Sequence, residues 1–579
     1  MEKEKEKLKE KTLSNIFKAT QENEASKLIE ILNSGQNPNQ TDIYGFTPLH
    51  YCTIFDNFRG AKILIQKGAL VDLTGGELNY TPLHIASIVG SSIVAQLLIK
   101  NGADPNKKDS QGFSPIHLAA QNNHHLFCHI LISNGVSFNE VDNQSRTALH
   151  WAVLKNHIRV ARYFIYNHAD ISIQDNDGCT PLHWAILLHR PEITKILLKN
   201  KSDLRIKDHY NSTPRDCALE TQNFKTIMLI DHIQKIKKQK YKIFSPKQLS
   251  LLGFTLFFFA IISFLSIFPL FLNLLIIPLF TKMYFRFFDP ILKVSEVDYS
   301  SFATSASFLV LFLSTSIFRI IPKCFSHYPK IVFIFLISVA ILIYKFLITS
   351  LRDPGKIPQK IINPEELIQE ENPLLKYHSS FLEKNFCETC RIFQPLRSKH
   401  DSTLQRCISR YDHFCSWTSN AVGEKNHSTF LSFISFSIIS FVFYFILSLL
   451  FLLNNHQITQ SSFEFFHFLY LSYFYQPWIF FLSIFSLVLL IWIIFLFIEQ
   501  FLNISNNITL NERINQVRYI HFWKNQRQHN PFDLGSIYKN ILQFFKLNYS
   551  VDWSKIFWFD DLKYGDCQHL KSFLIDESN

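Results

Sequence analysis

One short string returns at a fixed interval through the first part of the chain. TPLHYC begins at Thr47, TPLHIA at Thr81, SPIHLA at Ser114, TALHWA at Thr147 and TPLHWA at Thr180, and a degraded TPRDCA begins at Thr213. The spacing is 34 residues once and 33 residues four times. A period of that size means one supersecondary unit per repeat. Such a unit buries its apolar face only against its neighbours, so the segment must form a stack. Thr-Pro opens the first helix of most units, where the N–H that Pro lacks would have no partner anyway. A second helix with an apolar end follows, as in AKILIQKGA or ITKILLKNKSD, and Gly68 and Gly102 fall where that helix must stop.

Period and pattern are those of ankyrin repeats, expected over residues 13–234 with 13–40 as a capping repeat. Ankyrin stacks bind proteins, but the fold does not name the partner. Trp151 and Trp184 occupy equivalent positions in their repeats. They either anchor a ligand peptide or pack between repeats. Residues 1–12 read as a charged tail without signal-peptide character.

Beyond residue 247 long Phe, Leu and Ile runs replace the mixed, polar composition. The net charge of +11 could suggest nucleic acid, but six lysines crowd between Lys235 and Lys247, beside the first apolar run. Basic residues there read as a cytosolic flank next to anionic lipid, so no nucleic-acid partner is expected. Phe302–Phe318, Ile331–Ile348, Phe430–Leu453 and Trp478–Ile498 are each long enough for one span. Leu249 to Phe280 is too long for one and is interrupted at Pro269, Asn273 and Pro278, which suits a hairpin of two. Parity agrees: a cytosolic ankyrin domain and a cytosolic basic loop from Leu351 to Thr429 need an even number of crossings between them. The expectation is six spans with both termini cytosolic. The absence of Lys and Arg between Lys425 and Arg513 supports it, while Arg319, Lys323 and Lys330 would lie on the far side.

The expected fold is therefore all-α. A charged tail (1–12), an ankyrin solenoid (13–234) and a basic linker (235–247) precede spans one to four (248–350). A small zinc-bound cysteine-rich cytosolic domain (351–429), spans five and six (430–498) and a cytosolic C-terminal tail (499–579) complete it.

Four of the ten cysteines fall within 29 residues of that loop. Cys387 and Cys390 form a C-x2-C knuckle, His400 and Cys407 follow, and three thiolates with one imidazole suit a closed tetrahedral zinc site. Zinc would give a short polar loop the rigidity its few apolar residues cannot supply. Next comes Asp412-His413-Phe414-Cys415. A thiol attacks only as thiolate and needs a base within reach. His413 can take that role, and Asp412 can fix its tautomer. By itself the string fits a second metal site equally well.

The loop resembles the cysteine-rich domain of the DHHC protein S-acyltransferases, and the ankyrin stack with six spans resembles that family's ankyrin-repeat branch. The flanking motifs match too: Asp353-Pro354-Gly355, Thr509-Leu510-Asn511-Glu512 for T-T-x-E with one change, and NPFDLGSIYKN with Phe532 and Asn540 in the matching places. Trp417, Asn420, Gly423 and Asn426 fit the pattern after the catalytic cysteine. The family's second zinc site is missing, because its four ligand positions hold Asp401, Leu404, Phe414 and Ala421. All four ligands of one site are lost and all four of the other kept, so apolar packing is expected where the second ion would sit. Ser416 stands in place of the usual Pro.

The resemblance implies a palmitoyltransferase. Cys415 would take a long-chain acyl group from palmitoyl-CoA and pass it to client cysteines near the membrane, with His413 and Asp412 assisting and clients recruited by the repeats. It also implies the Golgi or another endomembrane. Arg397, Lys399 and Arg410 are candidates for the CoA phosphates, or ordinary positive-inside charge. A catalytically silent ankyrin adaptor is the main alternative. An ankyrin-bearing cation channel is disfavoured because NNHQITQSSFEFFHFLYLSYFYQP, between the last spans, holds no clear filter.

Overall fold

The computed structural model describes residues 15–231 except 225, 315–358, 368, 379–455, 465–515, 523–524, 527–528 and 530–545. The chain forms two compact units, Met1–Gln239 with Gln359–Phe393, and Lys240–Pro358 with Gln394–Asn579.

In the first unit, antiparallel helix pairs follow the sequence period. Asn15–Gln21 with Ala25–Asn33 is followed by Pro48–Ile54 with Phe58–Gln66, and the last full pair is Pro181–Leu187 with Pro191–Lys199. Their buried faces merge into one continuous core, which includes Leu49, Leu83, Ile116, Leu149 and Leu182. The repeated His does more than mark the repeat. The Thr47 N–H donates to His50 Nδ1 at 3.0 Å, closing the helix start, and His50 Nε2 reaches the Tyr80 carbonyl of the next repeat at 3.0 Å. His84, His117 and His150 make the same reach to Phe113, Glu140 and Cys179. An Nδ1 that accepts requires Nε2 to carry the proton, so each ring is a neutral staple between repeats. Burial agrees, pushing His50 and His150 down to about 4.

Trp151 and Trp184 pack rather than project. Their indole N–H groups donate to Asp142 and Asp175, each at 2.8 Å, and the Arg146 guanidinium lies 5.7 and 5.3 Å from the two rings.

The same unit takes in a segment from the cysteine-rich loop. Helix Ser379–Asn385 leads into strand β1 (Phe386–Cys387), paired antiparallel with β2 (Ile392–Phe393). Glu383 meets His125 Nδ1 at 2.5 Å, Arg159 donates to the Phe386 carbonyl at 2.9 Å, and Arg162 donates to Glu388 at 2.7 Å. The Phe386 ring stacks on His129 with centroids 5.0 Å apart. The second helices of two repeats thus grip the strand that carries Cys387.

Among the described residues, the second unit holds three helices long and apolar enough to cross a membrane, Pro329–Leu351, His427–Leu453 and Pro477–Ser505. They enclose the expected spans Ile331–Ile348, Phe430–Leu453 and Trp478–Ile498. Val332, Phe335, Tyr444, Leu447, Ile479 and Leu482 pack between them. Leu249–Phe280 lies outside the described residues, as does Phe302–Phe318 apart from its last four positions. The all-α expectation needs one correction. The cysteine-rich stretch folds into short hairpins: β1–β2, β3 (Lys399–Asp401) with β4 (Arg406–Ile408), and β5 (His413–Cys415) with β6 (Asn420–Val422). Strands of two or three residues leave no periodic signature in a sequence.

Gly35, Gly68, Gly102 and Gly135 take positive φ just past the second helices, while His168 (φ 67°) and Lys201 (φ 65°) hold the equivalent place in later repeats. A side chain in that left-handed region is strained. His168→Gly should therefore raise the stability of its repeat by about 1 kcal/mol, read by hydrogen exchange in the intact chain. Unchanged or faster exchange would show that His168 is held by something other than this turn.

Candidate active site

Side chains alternate across a strand, so His413 and Cys415 share one face of β5 while Phe414 points to the other. On its own side Phe414 pairs with Ala421 of β6 and packs with Leu404, Ile408 and Tyr411 in one apolar cluster. Asp401 closes the edge of that cluster. It accepts the Tyr411 hydroxyl at 3.0 Å on one oxygen, and the Thr403 and Leu404 N–H groups at 3.0 and 2.8 Å on the other. Asp401, Leu404, Phe414 and Ala421 thus come together, holding one another by apolar contact and hydrogen bonds.

On the opposite face, His413 Nδ1 donates to Asp412 Oδ2 at 2.7 Å, and the imidazole is electrostatically coupled to the Cys415 thiol that shares its face. The Phe430 ring lies edge-on to His413 at 5.3 Å and limits its tilt. Asp412 is buried and receives the Leu510 N–H at 2.6 Å on its other oxygen. Burial alone would push this carboxyl up, but the nearby His427 ring, His413 and the Leu510 N–H together outweigh it and hold it below the usual carboxylate range. For His413, burial pulls the pKa down, yet Asp412 and Cys415 together raise it to about 10. Burial would raise the thiol as well, and His413 with the Thr418 donors reverses the sign and lowers it. The arrangement favours an imidazolium–thiolate pair. Cys415 opens on a cavity of about 160 Å³, whose far wall includes Phe433, Ile434, Trp492, Ile493 and Leu496.

The flanking motifs build this hairpin's support. Gly355 has φ +104°, its carbonyl accepts the Ser409 N–H at 2.9 Å, and the Ile357 N–H donates to the Cys407 carbonyl at 2.9 Å. A Cβ on Gly423 would meet the Pro354 oxygen at 2.5 Å, so only glycine fits that approach. Asn420 donates to the Thr349 and Arg352 carbonyls at 3.0 and 2.8 Å, tying β6 to the end of the first long helix. Asn426 bridges the Gly423 N–H and the Ala421 carbonyl. Trp417 packs on Trp492 with centroids 4.6 Å apart. Thr509 and Glu512 cap each other's N–H groups, and Asn540 donates to the Ser505 carbonyl at 2.7 Å.

Two of the three expected phosphate contacts are corrected. Arg397 is buried, forked onto Glu512 at 2.7 and 2.6 Å, and covered by the Phe532 ring at 4.1 Å. Arg410 is buried too and donates to Asn507 at 3.0 Å; burial, with Arg397 beside it, brings it down to about 9. Both guanidiniums serve the interior, and charge in a sequence does not reveal burial. Lys399 is exposed and bonds Asn511 at 2.8 Å.

Cys387 and Cys390 of the first unit and His400 and Cys407 of the second form the group that could serve as ligands. His400 faces Cys407 directly across β3–β4. Three sulfurs and a ring nitrogen could hold a metal ion and fit tetrahedral zinc. Sequence reasoning missed Gln500, His427 and Asn507, polar residues whose partners lie far away in the chain. A buried amide in an otherwise apolar helix is the one signal that could have drawn attention to Gln500.

Residues 380–517 match the DHHC palmitoyltransferase family, and residues 16–109, 92–175, 116–208 and 162–240 match ankyrin repeats. Human palmitoyltransferase ZDHHC17 is 31% identical over 247 residues, 40% of this chain and 36% of that protein. Palmitoyltransferase akr1 of Schizosaccharomyces pombe is 28% identical over 262 residues, covering 43% and 40%. Palmitoyltransferase Hip14 of Drosophila melanogaster is 30% identical over 238 residues, covering 39% and 36%. The chain thus spans well under half the length of these curated relatives.

The Arg397–Glu512 fork carries a structural prediction. Glu512→Gln strands a buried cation, and this should destabilise the chain by about 3–5 kcal/mol in thermal unfolding, whereas Arg397→Met with Glu512→Leu should be milder. A single variant as stable as wild type would contradict the burial described.

Proposed function

The chain carries a DHHC palmitoyltransferase domain together with ankyrin repeats and is homologous to palmitoyltransferases ZDHHC17, akr1 and Hip14, and from that premise we propose that it transfers a palmitoyl or similar long acyl group from acyl-CoA to protein cysteines. One observation carries the reading: His413, hydrogen-bonded to Asp412, shares one face of β5 with Cys415 at the mouth of an apolar cavity.

The Cys415 thiolate attacks the thioester carbonyl, the bond from carbonyl carbon to CoA sulfur breaks, and the leaving CoA thiolate takes the proton held by His413. In the second half, the client thiol gives its proton to His413 and attacks the acyl-enzyme, which releases Cys415 as thiolate. Asp412 keeps the imidazole oriented and stabilises its charged form. The acyl chain lies along the wall of Phe433, Ile434, Trp492 and Leu496, an apolar environment continuous with the membrane. Lys399, exposed on the same unit, is the remaining candidate for a CoA phosphate.

Around this site we read one structural zinc on Cys387, Cys390, His400 and Cys407, which would brace the hairpins and take no part in the transfer. The domain limits and six spans with cytosolic termini follow the sequence reading, as does residence in the Golgi or another endomembrane. The ankyrin stack recruits clients and raises their concentration at the bilayer face.

Incubation of the solubilised chain with palmitoyl-CoA should give a hydroxylamine-sensitive acyl label that Cys415→Ser abolishes. Absence of label on the wild type would remove the reading. Metal analysis should find one zinc per chain, and two would contradict the packing at Leu404, Phe414 and Ala421.

A further inference from the structure

Gln500 is fully buried in the apolar helix Pro477–Ser505, where an amide must find partners or incur the cost of desolvation. It finds two. Its Nε2 donates to Asp412 Oδ2 at 3.2 Å, and its Oε1 faces His427 Nε2 at 3.0 Å. The two ends of the amide cannot be exchanged, since the reversed group would set an oxygen against the carboxylate. An accepting Oε1 in turn requires His427 to carry its proton on Nε2. Among the described residues the buried His427 Nδ1 has no hydrogen-bond partner, and the Phe544 ring packs perpendicular to the imidazole at 4.9 Å. His427 is thus spent on Gln500, and Gln500 on Asp412.

We propose that Gln500 and His427 are positioning residues that act in series on Asp412, an inference that rests on the acyltransferase reading above. Asp412 Oδ1 is held by the Leu510 N–H at 2.6 Å, and Oδ2 by His413 at 2.7 Å. The Gln500 donor adds a second anchor on Oδ2 and stops the carboxylate from turning away from His413. His427 keeps the amide in the orientation that donates. Neither residue reaches the reacting atoms, so both act on the chemical step and leave acyl-CoA binding alone.

The test compares Gln500→Met, Gln500→Glu and the Gln500→Met/His427→Phe pair in the full chain, with palmitoyl-CoA as donor. Methionine keeps length and apolar volume but neither donates nor orients. Acyl-enzyme formation should slow on the order of ten- to a hundredfold, the scale of one hydrogen bond to a charged group, at unchanged KM. Adding His427→Phe should cost little more, because a relay already cut has nothing further to lose. Glutamate can donate only when protonated, so Gln500→Glu should work toward acid pH and fail toward alkaline pH, with an alkaline fall absent from the wild type.

Gln500→Met within twofold of wild type would overturn the proposal, as would a raised KM at unchanged kcat, which would make Gln500 a substrate contact. Equal loss in the methionine and glutamate variants at every pH, with zinc and thermal stability falling together, would mark a purely structural residue and overturn it too. If the wild type labels normally and these variants do not separate, only this inference fails. Failure of the wild type to label would instead remove the acyltransferase reading on which it rests.

Discussion

A carboxylate that is 1% exposed has to be surrounded by donors, because an uncompensated buried charge costs several kcal/mol. Asp412 meets that demand by drawing in separate stretches of the chain. His413 comes from its own hairpin, the Leu510 N–H from the T-L-N-E turn, and the Gln500 amide from the C-terminal end of the helix Pro477–Ser505. Loss of any one of the three leaves the charge less compensated. The turn has its own second lock, since Glu512 caps Thr509 and holds the Arg397 fork. Requirements of charge burial, more than apolar packing, thus fix where the imidazole stands relative to the thiol.

The two faces of β5 carry separate burdens. One face presents His413 and Cys415 to the cavity, and the other presents Phe414 to a plug of Leu404, Ile408, Tyr411 and Ala421. A sequence that exchanges metal ligands for apolar residues on the second face leaves the first untouched, provided the hairpin keeps its shape. The plug supplies that shape here. Asp401, which pins both the Tyr411 hydroxyl and the Thr403–Leu404 turn, adds direction that apolar contact lacks.

Much of this was legible beforehand. The 33-residue period identified the stack because repeated local chemistry is what a sequence records best. The Cys387, Cys390, His400 and Cys407 spacing predicted a gathering of ligands, and the pattern of departures at Asp401, Leu404, Phe414 and Ala421 anticipated the plug. The errors have physical causes. Arg397 and Arg410 were expected to face phosphates because a guanidinium looks alike in sequence whether buried or solvated. Gln500 and His427 went unnoticed because their partners lie far off in the chain. The repeat histidines read as signature letters until their Nε2 atoms were seen to cross to the next repeat. The earliest apolar stretch lies outside the described residues, so the crossing count stays part of the proposed reading.

The central claim is that burial of Cys415 is overruled by His413 and Thr418, which hold the thiol below its ordinary pKa. The direct measurement is the alkylation rate of Cys415 against pH in the intact chain, followed on the peptide that contains it. A folded-state thiol pKa held below its usual value keeps the thiolate populated as pH falls. The account therefore predicts a rate that begins to fall at a lower pH than it does for an ordinary free thiol. A rate falling about tenfold per pH unit below about 8.5, as for an ordinary free thiol, would contradict it.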